Sequence, residues 1–539
     1  MADRMGIDFG TSTTLVSNRA GEGPVRVLPI GQVDAWMPSL VGYGSNGVVV
    51  GEDALALPER SVIRSIKTDL LTRLSVRTIS PPMGPTVDLE VRPAITDLLA
   101  EVAARCEQRG FPLVGRPVRL SCPANWPAAP RLDLVRAAKD AGLDASVNRM
   151  LDEPISAGVA WTMGRFLAGK PAPEGKVLVF DYGGGTLDLA VLEVVDGSPP
   201  EITVLAAAAV TEAGDRLDQA IAGELRAEAE HHPALAALDM EPEDVQHLFR
   251  LAATRLKIGL STTPEQATRL GPGPGANMVL RYSQRQLETA FSPMLDRALR
   301  LVWSTIRATE LRRRGAATPD VIRKMTEGEL AKGISWVLLA GGMSRIPAVA
   351  ARLTQAFPSA AVAADTSLRS PEESVVSGLA YDEVVSDLNL DRPAFDMTVE
   401  LVDPSGLCVA NQHAYPAFTP LYAPDQIQRG EFLLGRSAEI TNPTKKRVTA
   451  KMTCRGVDGR TLPLYIDGVS EESLDVSVEP GKTVWFKLYV DGQVVLGYRQ
   501  LRVDRWPVIR GGPNNRIEFV TDSRGYDDQR VGHWWGERN

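Results

Sequence analysis

Met5-Gly6-Ile7-Asp8-Phe9-Gly10-Thr11-Ser12-Thr13-Thr14 and Val177-Leu178-Val179-Phe180-Asp181-Tyr182-Gly183-Gly184-Gly185-Thr186-Leu187-Asp188 are two versions of one phrase. Each is an apolar strand ending in Asp, then an aromatic residue, then Gly and Thr. A second apolar run follows, Leu15-Val16 in one copy and Leu189-Ala190-Val191 in the other. This pattern predicts a β-hairpin whose turn is built from small residues. Glycine lets backbone N–H groups come close to an anion, and the hydroxyls of Thr11, Ser12, Thr13 and Thr186 add donors. Asp8 and Asp181, at the strand ends, offer carboxylates to a divalent cation. A single Gly-rich turn carries little information. A matched pair, each with its Asp, predicts a duplicated α/β domain holding one magnesium–polyphosphate between its halves.

A third loop completes the pattern. Trp336-Val337-Leu338-Leu339-Ala340-Gly341-Gly342-Met343-Ser344-Arg345-Ile346-Pro347 reads as a buried strand, a Gly-Gly turn and a helix start. Gly341-Gly342 lets a flat base lie against the backbone, and the Arg345 guanidinium plane can stack on it. An ordinary strand-to-helix turn is the plain alternative. Beside the two phosphate loops, the segment reads as the adenosine side of the same site.

In this order the three segments resemble the actin and heat-shock-protein-70 ATPase superfamily, and further segments resemble its DnaK-like chaperone branch. Val118-Arg119-Leu120-Ser121-Cys122-Pro123-Ala124-Asn125-Trp126, with Arg131 downstream, is similar to that family's strand and Pro-Ala-aromatic turn. Leu151-Asp152-Glu153-Pro154 resembles its Glu-Pro turn, Ala213-Gly214-Asp215-Arg216-Leu217-Asp218 its Gly-acid loop, and Ser370-Pro371-Glu372-Glu373-Ser374-Val375-Val376-Ser377-Gly378 its closing helix. The resemblance covers about residues 5–385 and implies a duplicated actin-like (ribonuclease H-like) ATPase domain.

The resemblance also implies roles. Asp8 and Asp181 would flank Mg²⁺, with K⁺ a further candidate ion. Gly10, Thr11, Ser12, Thr13, Gly183, Gly184, Gly185 and Thr186 would cradle the phosphates of ATP or ADP, with Gly214, Lys257, Gly341, Gly342, Ser344 and Arg345 completing the nucleotide site. Lys67 lies in Ile63-Arg64-Ser65-Ile66-Lys67, similar to the family's catalytic-lysine strand; the plain alternative is a surface lysine. Catalysis would fall to Lys67, Glu153, Asp181, Thr186 and Asp188. Pro123 and Arg131 would relay nucleotide state to the next domain, with a plain turn proline as the alternative for Pro123. Leu388 and Leu390 would carry that relay through the linker, where Asn389 interrupts the family's leucine run.

Composition fits an intracellular, cytoplasmic protein. The chain has 539 residues, 59 basic and 67 acidic, for a net charge of −8, which does not suggest nucleic-acid binding. Its 4 cysteines are too scattered for a disulfide framework or a zinc site. No apolar run approaches the ~20 residues of a membrane span, and Met1-Ala2-Asp3-Arg4 runs straight into the first strand without a leader pattern. Residues 94–109, 218–262 and 283–313 show helical periodicity, and Thr268-Arg269-Leu270 and Met278-Val279-Leu280-Arg281 flank a hairpin turn. Residues 1–385 are thus expected to form the nucleotide-binding domain and 386–393 a linker. Period-two strands over 394–506, about eight, predict a β-sandwich. Residues 507–539 read as a polar tail, with Trp534 and Trp535 docking on this protein or a partner.

The family's helical lid finds no counterpart, so the β-region is expected to bind a client or partner protein without one. The leading expectation is a slow ATPase acting as a chaperone-like switch in protein folding, with a co-chaperone and a nucleotide-exchange factor as candidate helpers. The alternatives are a nucleotide-gated assembly scaffold with little turnover, or a small-metabolite kinase of the same superfamily.

Overall fold

The computed structural model describes residues 4–522 except 45–46, 82, 237, 239, 241, 272–277, 313–321, 323, 365–367, 369, 382–391, 421–433, 458, 467–468, 490–493, 498–505 and 513–515. Leu388, Leu390, Trp534 and Trp535 lie outside the described residues. The chain divides into two compact units. The first comprises residues 1–200, 208–302 and 327–384; the second comprises 201–207, 303–326 and 385–539.

Both quoted phrases fold as hairpins, and each hairpin heads a sheet of the same design. Arg4–Phe9 pairs antiparallel with Thr13–Arg19 and parallel with Val118–Cys122. Gly175–Tyr182 pairs antiparallel with Leu187–Val195 and parallel with Trp336–Ala340. The first sheet runs Leu151–Asp152, Val118–Cys122, Arg4–Phe9, Thr13–Arg19, Arg26–Leu28; the second runs Ala361–Ala364, Trp336–Ala340, Gly175–Tyr182, Leu187–Val195, Glu201–Val210. The two orders correspond strand for strand, so the predicted duplication is present in the backbone. Val177, Leu178, Val179 and Phe180 are fully buried, as both faces of a central strand in an α/β layer must be.

Helices Glu153–Leu167 and Ser374–Gly378 cross closely. Ser156 Oγ donates to the Val375 carbonyl at 2.7 Å and Ser17 Oγ to that of Val376 at 2.6 Å. A Cβ at Gly378 would lie 1.8 Å from the Ser156 carbonyl oxygen, so glycine is required for the approach. The expected helices appear as Val91–Gln108, Gly214–Glu228, Pro242–Leu260 and Gln284–Arg312, and the expected hairpin as Glu265–Arg269 with Val279–Ser283. The Gly214 segment, read as a loop, is instead the first turn of a helix.

In the second unit every described element from Phe395 onward is a strand. Phe395–Val402 and Val448–Gly456 alternate buried and half-buried residues and pair antiparallel. Their inward Met397, Val399, Leu401, Ala450 and Met452 share one apolar core with Val484, Phe486 and Leu488 of the sheet Leu434–Thr441, Thr483–Tyr489, Val494–Gly497. Two sheets packed face to face through alternating side chains make a sandwich. There are more strands than expected, because short ones such as Thr461–Leu462 and Val469–Glu471 add to the sheets. Trp506–Gly512 and Arg516–Asp522, in and beside the stretch read as polar, also pair as a hairpin.

Candidate functional site

The site is built where the hairpin turns meet. In one turn the Gly10 N–H donates to the Thr13 carbonyl at 3.0 Å; in the other Gly183 donates to Thr186 at 2.9 Å. The same bond thus closes both turns and leaves the intervening residues at the tips. The tips face each other: a Cβ at Gly184 would lie 2.4 Å from Ser12 Oγ, and one at Gly185 2.4 Å from Thr11 Oγ1. The helix beginning at Gly214 seats itself on the second turn, with Asp215 N–H donating to the Gly184 carbonyl at 2.7 Å and Gly214 N–H to that of Gly183 at 3.3 Å.

Beneath the tips lies a crowd of buried carboxylates around one buried lysine. Asp8 accepts from Ser121 Oγ at 2.6 Å. Asp188 accepts from the Ala124 N–H at 2.8 Å and from the Thr186 hydroxyl. Lys67 Nζ donates to Glu153 Oε1. At 2% exposure Lys67 is no surface lysine. It does not sit on a strand, as its segment suggested, but in the first turn of the helix Ile66–Thr72. That helix starts after Ser65, which takes a left-handed conformation (φ 52°) and donates its hydroxyl to Asp215 at 2.8 Å.

Burial penalises each of these charges. It pushes the Asp181 carboxyl well above its ordinary range, helped by neighbouring Asp188 and Asp8. It pushes Asp188 up to about 6 against the hydrogen bonds from Thr186 and Ala124. Burial raises Asp8 against the pull of Lys67 and Ser121, and raises Glu153 against the pull of Lys67. For Lys67, burial alone would lower the ammonium, but Glu153, Asp8 and Asp188 outweigh it and keep it charged. The surplus of negative charge and hard oxygen donors fits Mg²⁺. Among the described residues no three acidic, His or Cys side chains converge as a ligand set. Asp8 and Asp181 would therefore hold a hydrated ion, the form Mg²⁺ favours.

Of the residues assigned to coupling, Pro123 and Arg131 lie beside this cluster. Pro123 opens the tight turn whose Ala124 amide holds Asp188; the turn closes with the Trp126 N–H on the Pro123 carbonyl at 3.1 Å. Arg131 Nη2 donates to Asp152 Oδ1 at 2.7 Å and its Nε to the Trp126 carbonyl at 2.9 Å, with Asp152 next in sequence to Glu153. The Lys67 ammonium stands 5.9 Å from the centre of the Trp126 ring. Ser121, Ala124, Trp126 and Asp152 were given no role in the sequence, although all four stand inside quoted motifs.

On the base side, Gly341 adopts φ +73°, and a Cβ there would lie 2.5 Å from both Asp181 Oδ1 and the Tyr182 carbonyl oxygen. Ser344 Oγ donates to the Gly341 carbonyl at 2.6 Å, which ties down the turn. Beside Gly342, Arg345 pairs with Glu372 at 3.3 Å. Lys257 pairs with Asp218 at 2.8 Å and reaches the Gly214 carbonyl at 3.4 Å, so it stands beside the second phosphate turn.

A duplicated sheet whose paired glycine turns converge on buried carboxylates and a lysine defines a nucleotide-handling ATPase fold. Residues 98–387 match the family model described as Hsp70 protein. The chain is 26% identical over 544 residues to the chaperone protein DnaK of Thermosipho africanus, spanning 97% of this chain and 76% of that protein. It is 28% identical over 404 residues to DnaK of Thermotoga neapolitana, spanning 71% and 59%. To the chaperone protein HscA homolog of Burkholderia multivorans it is 30% identical over 379 residues, spanning 66% and 54%. The chain belongs to the Hsp70 family.

Proposed function

We propose that the chain binds ATP and ADP with Mg²⁺, hydrolyses ATP slowly, and uses nucleotide state to govern how its β-rich unit binds a protein client in the cytoplasm. The observation that supports this most is the pair of identically closed hairpin turns above Asp8, Asp181 and Asp188. Phosphoryl transfer asks mainly for positioning and charge neutralisation. The backbone N–H groups at the tips, with Thr11, Ser12 and Thr13, supply donors for phosphate oxygens. The Lys67 ammonium, fixed by Glu153, supplies positive charge where a terminal phosphate carries negative charge. Asp188, oriented by Ala124 and Thr186, can accept a hydrogen bond from an attacking water. Mg²⁺, when bound through Asp8 and Asp181, would neutralise phosphate charge. A co-chaperone and a nucleotide-exchange factor belong to the same reading as partners.

Calorimetry of ATP and ADP binding, with and without Mg²⁺, tests the proposal. Mg²⁺-dependent affinity for both nucleotides is expected, together with phosphate release from ATP without any acceptor. Lys67→Met should bind ATP comparably and release phosphate about a hundredfold more slowly, the loss typical of one positioned charge donor. Absence of Mg²⁺-dependent affinity refutes the proposal.

A further inference from the structure

A cavity of about 490 Å³ in the first unit lies beside the second phosphate turn and borrows only Gly185 from it. None of Asp8, Lys67, Glu153, Asp181 or Asp188 lines it, and neither Lys257 nor Arg345 does. Its walls are instead rich in arginine: Arg60, Arg64, Arg77, Arg216 and Arg250, against the carboxylates of Glu59 and Asp215. Three of the five arginines are neutralised locally. Arg64 pairs with Glu59 at 2.6 Å, Arg77 with Asp69 at 2.5 Å, and Arg60 with Asp244 at 3.8 Å. Arg216 and Arg250 form no ion pair among the described residues. Of the two lining carboxylates, Glu59 is engaged by Arg64 and also faces His247 at 3.4 Å, and Asp215 accepts from Ser65. Ser65, Thr68, Thr78 and Gln219 add neutral hydrogen-bonding groups to the lining.

We propose that this cavity binds an oligophosphate chain, held by Arg216 and Arg250. Planar guanidinium groups suit phosphate oxygens, which they can grip with two parallel hydrogen bonds. The volume falls in the range of small-molecule pockets, above the need of a single anion. The chemistry has two possible sources: a free oligophosphate, or the distal end of a nucleotide carrying more than three phosphates that reaches past Gly185. The second source rests on the nucleotide reading of the phosphate turns; the first does not.

The test uses the full chain and two probes. Sodium tripolyphosphate is titrated in the calorimeter without nucleotide, and adenosine 5′-tetraphosphate is compared with ATP, both with Mg²⁺. Arg216→Ala/Arg250→Ala should weaken tripolyphosphate binding at least about tenfold, the loss of two charge-assisted hydrogen-bonding groups. Arg216→Lys/Arg250→Lys should recover part of it, and ATP affinity should stay within about twofold in both variants. Thermal melts confirm that the variants fold. If wild type also prefers tetraphosphate over ATP and the double alanine variant loses the preference, the nucleotide tail is the ligand; if tripolyphosphate alone responds, the free chain is. No tripolyphosphate binding with no tetraphosphate preference in wild type, or binding indifferent to both arginines, overturns the proposal. Failure of ATP itself to bind would count against the nucleotide reading, and the tripolyphosphate arm would still decide the cavity.

Discussion

Asp188 is the residue whose environment is easiest to read as a measurement. Buried at 1% exposure, its carboxyl is pushed from an ordinary 3.8 up to about 6. An acid whose folded value is raised binds its proton more tightly when folded. Its stabilising contribution is full below about pH 4 and is lost as pH rises through about 6. A shift of that size corresponds to about 3 kcal/mol. Without divalent cations, the wild-type first unit should therefore melt at a lower temperature at pH 7.5 than at pH 5. Asp188→Asn keeps the acceptor for the Ala124 amide and removes the charge, so it should flatten that dependence. Parallel melting curves for both proteins across this window would show that Asp188 carries no such penalty.

At the scale of the element, the Gly341 turn makes the sharpest demand on sequence. Its φ of +73° and the 2.5 Å clearance to Asp181 leave no room for a side chain. Gly341→Ala should cost about 1–3 kcal/mol of stability, as strained positions do, and should also move Asp181. Mg²⁺-ATP affinity should fall more than that of Gly21→Ala, a glycine with nothing within 4 Å of its added Cβ; equal affinities in calorimetry would contradict the close packing. Such elements were legible in the sequence because their information is local: Asp, Gly and Thr at fixed offsets define each hairpin. The helix carrying Lys67 was not legible. It begins after a non-glycine residue in a left-handed conformation, held by a partner 150 positions away. Ser121 and Asp8 are likewise joined across 113 positions, which no local pattern records. Two- and three-residue strands of the β-rich unit escaped because they are too short to show a period.

For the whole molecule, the relay expected of Arg131 can be tested at the segment 386–393. Arg131 is buried between Trp126 and Asp152, and Asp152 is next in sequence to Glu153, the partner of Lys67. If nucleotide is sensed there, ATP and ADP should protect the segment 386–393 differently against a protease, with a coupling of about 1–3 kcal/mol. Arg131→Ala should shrink that difference while ATP still binds, and should destabilise the fold by about 3–5 kcal/mol because it strands a buried Asp152. Arg131→Lys, which keeps the charge, separates the two effects. Identical cleavage in the empty, ADP and ATP states would favour the scaffold alternative.

The twofold resemblance of the two sheets stops at their protons. Asp8 and Asp181 end equivalent strands, yet Asp181 is pushed up further, and Asp188 stands opposite it across the hairpin where the first copy has Leu15. Burial therefore favours protons on Asp181 and Asp188 of the second copy more than on Asp8 of the first. Binding of Mg²⁺ and nucleotide should release those protons into the buffer. The heat of binding near pH 6 should then differ between buffers of high and low ionisation enthalpy, and Asp188→Asn should narrow the gap. Equal heats in both buffers would mean that the acidic cluster is already ionised before anything binds.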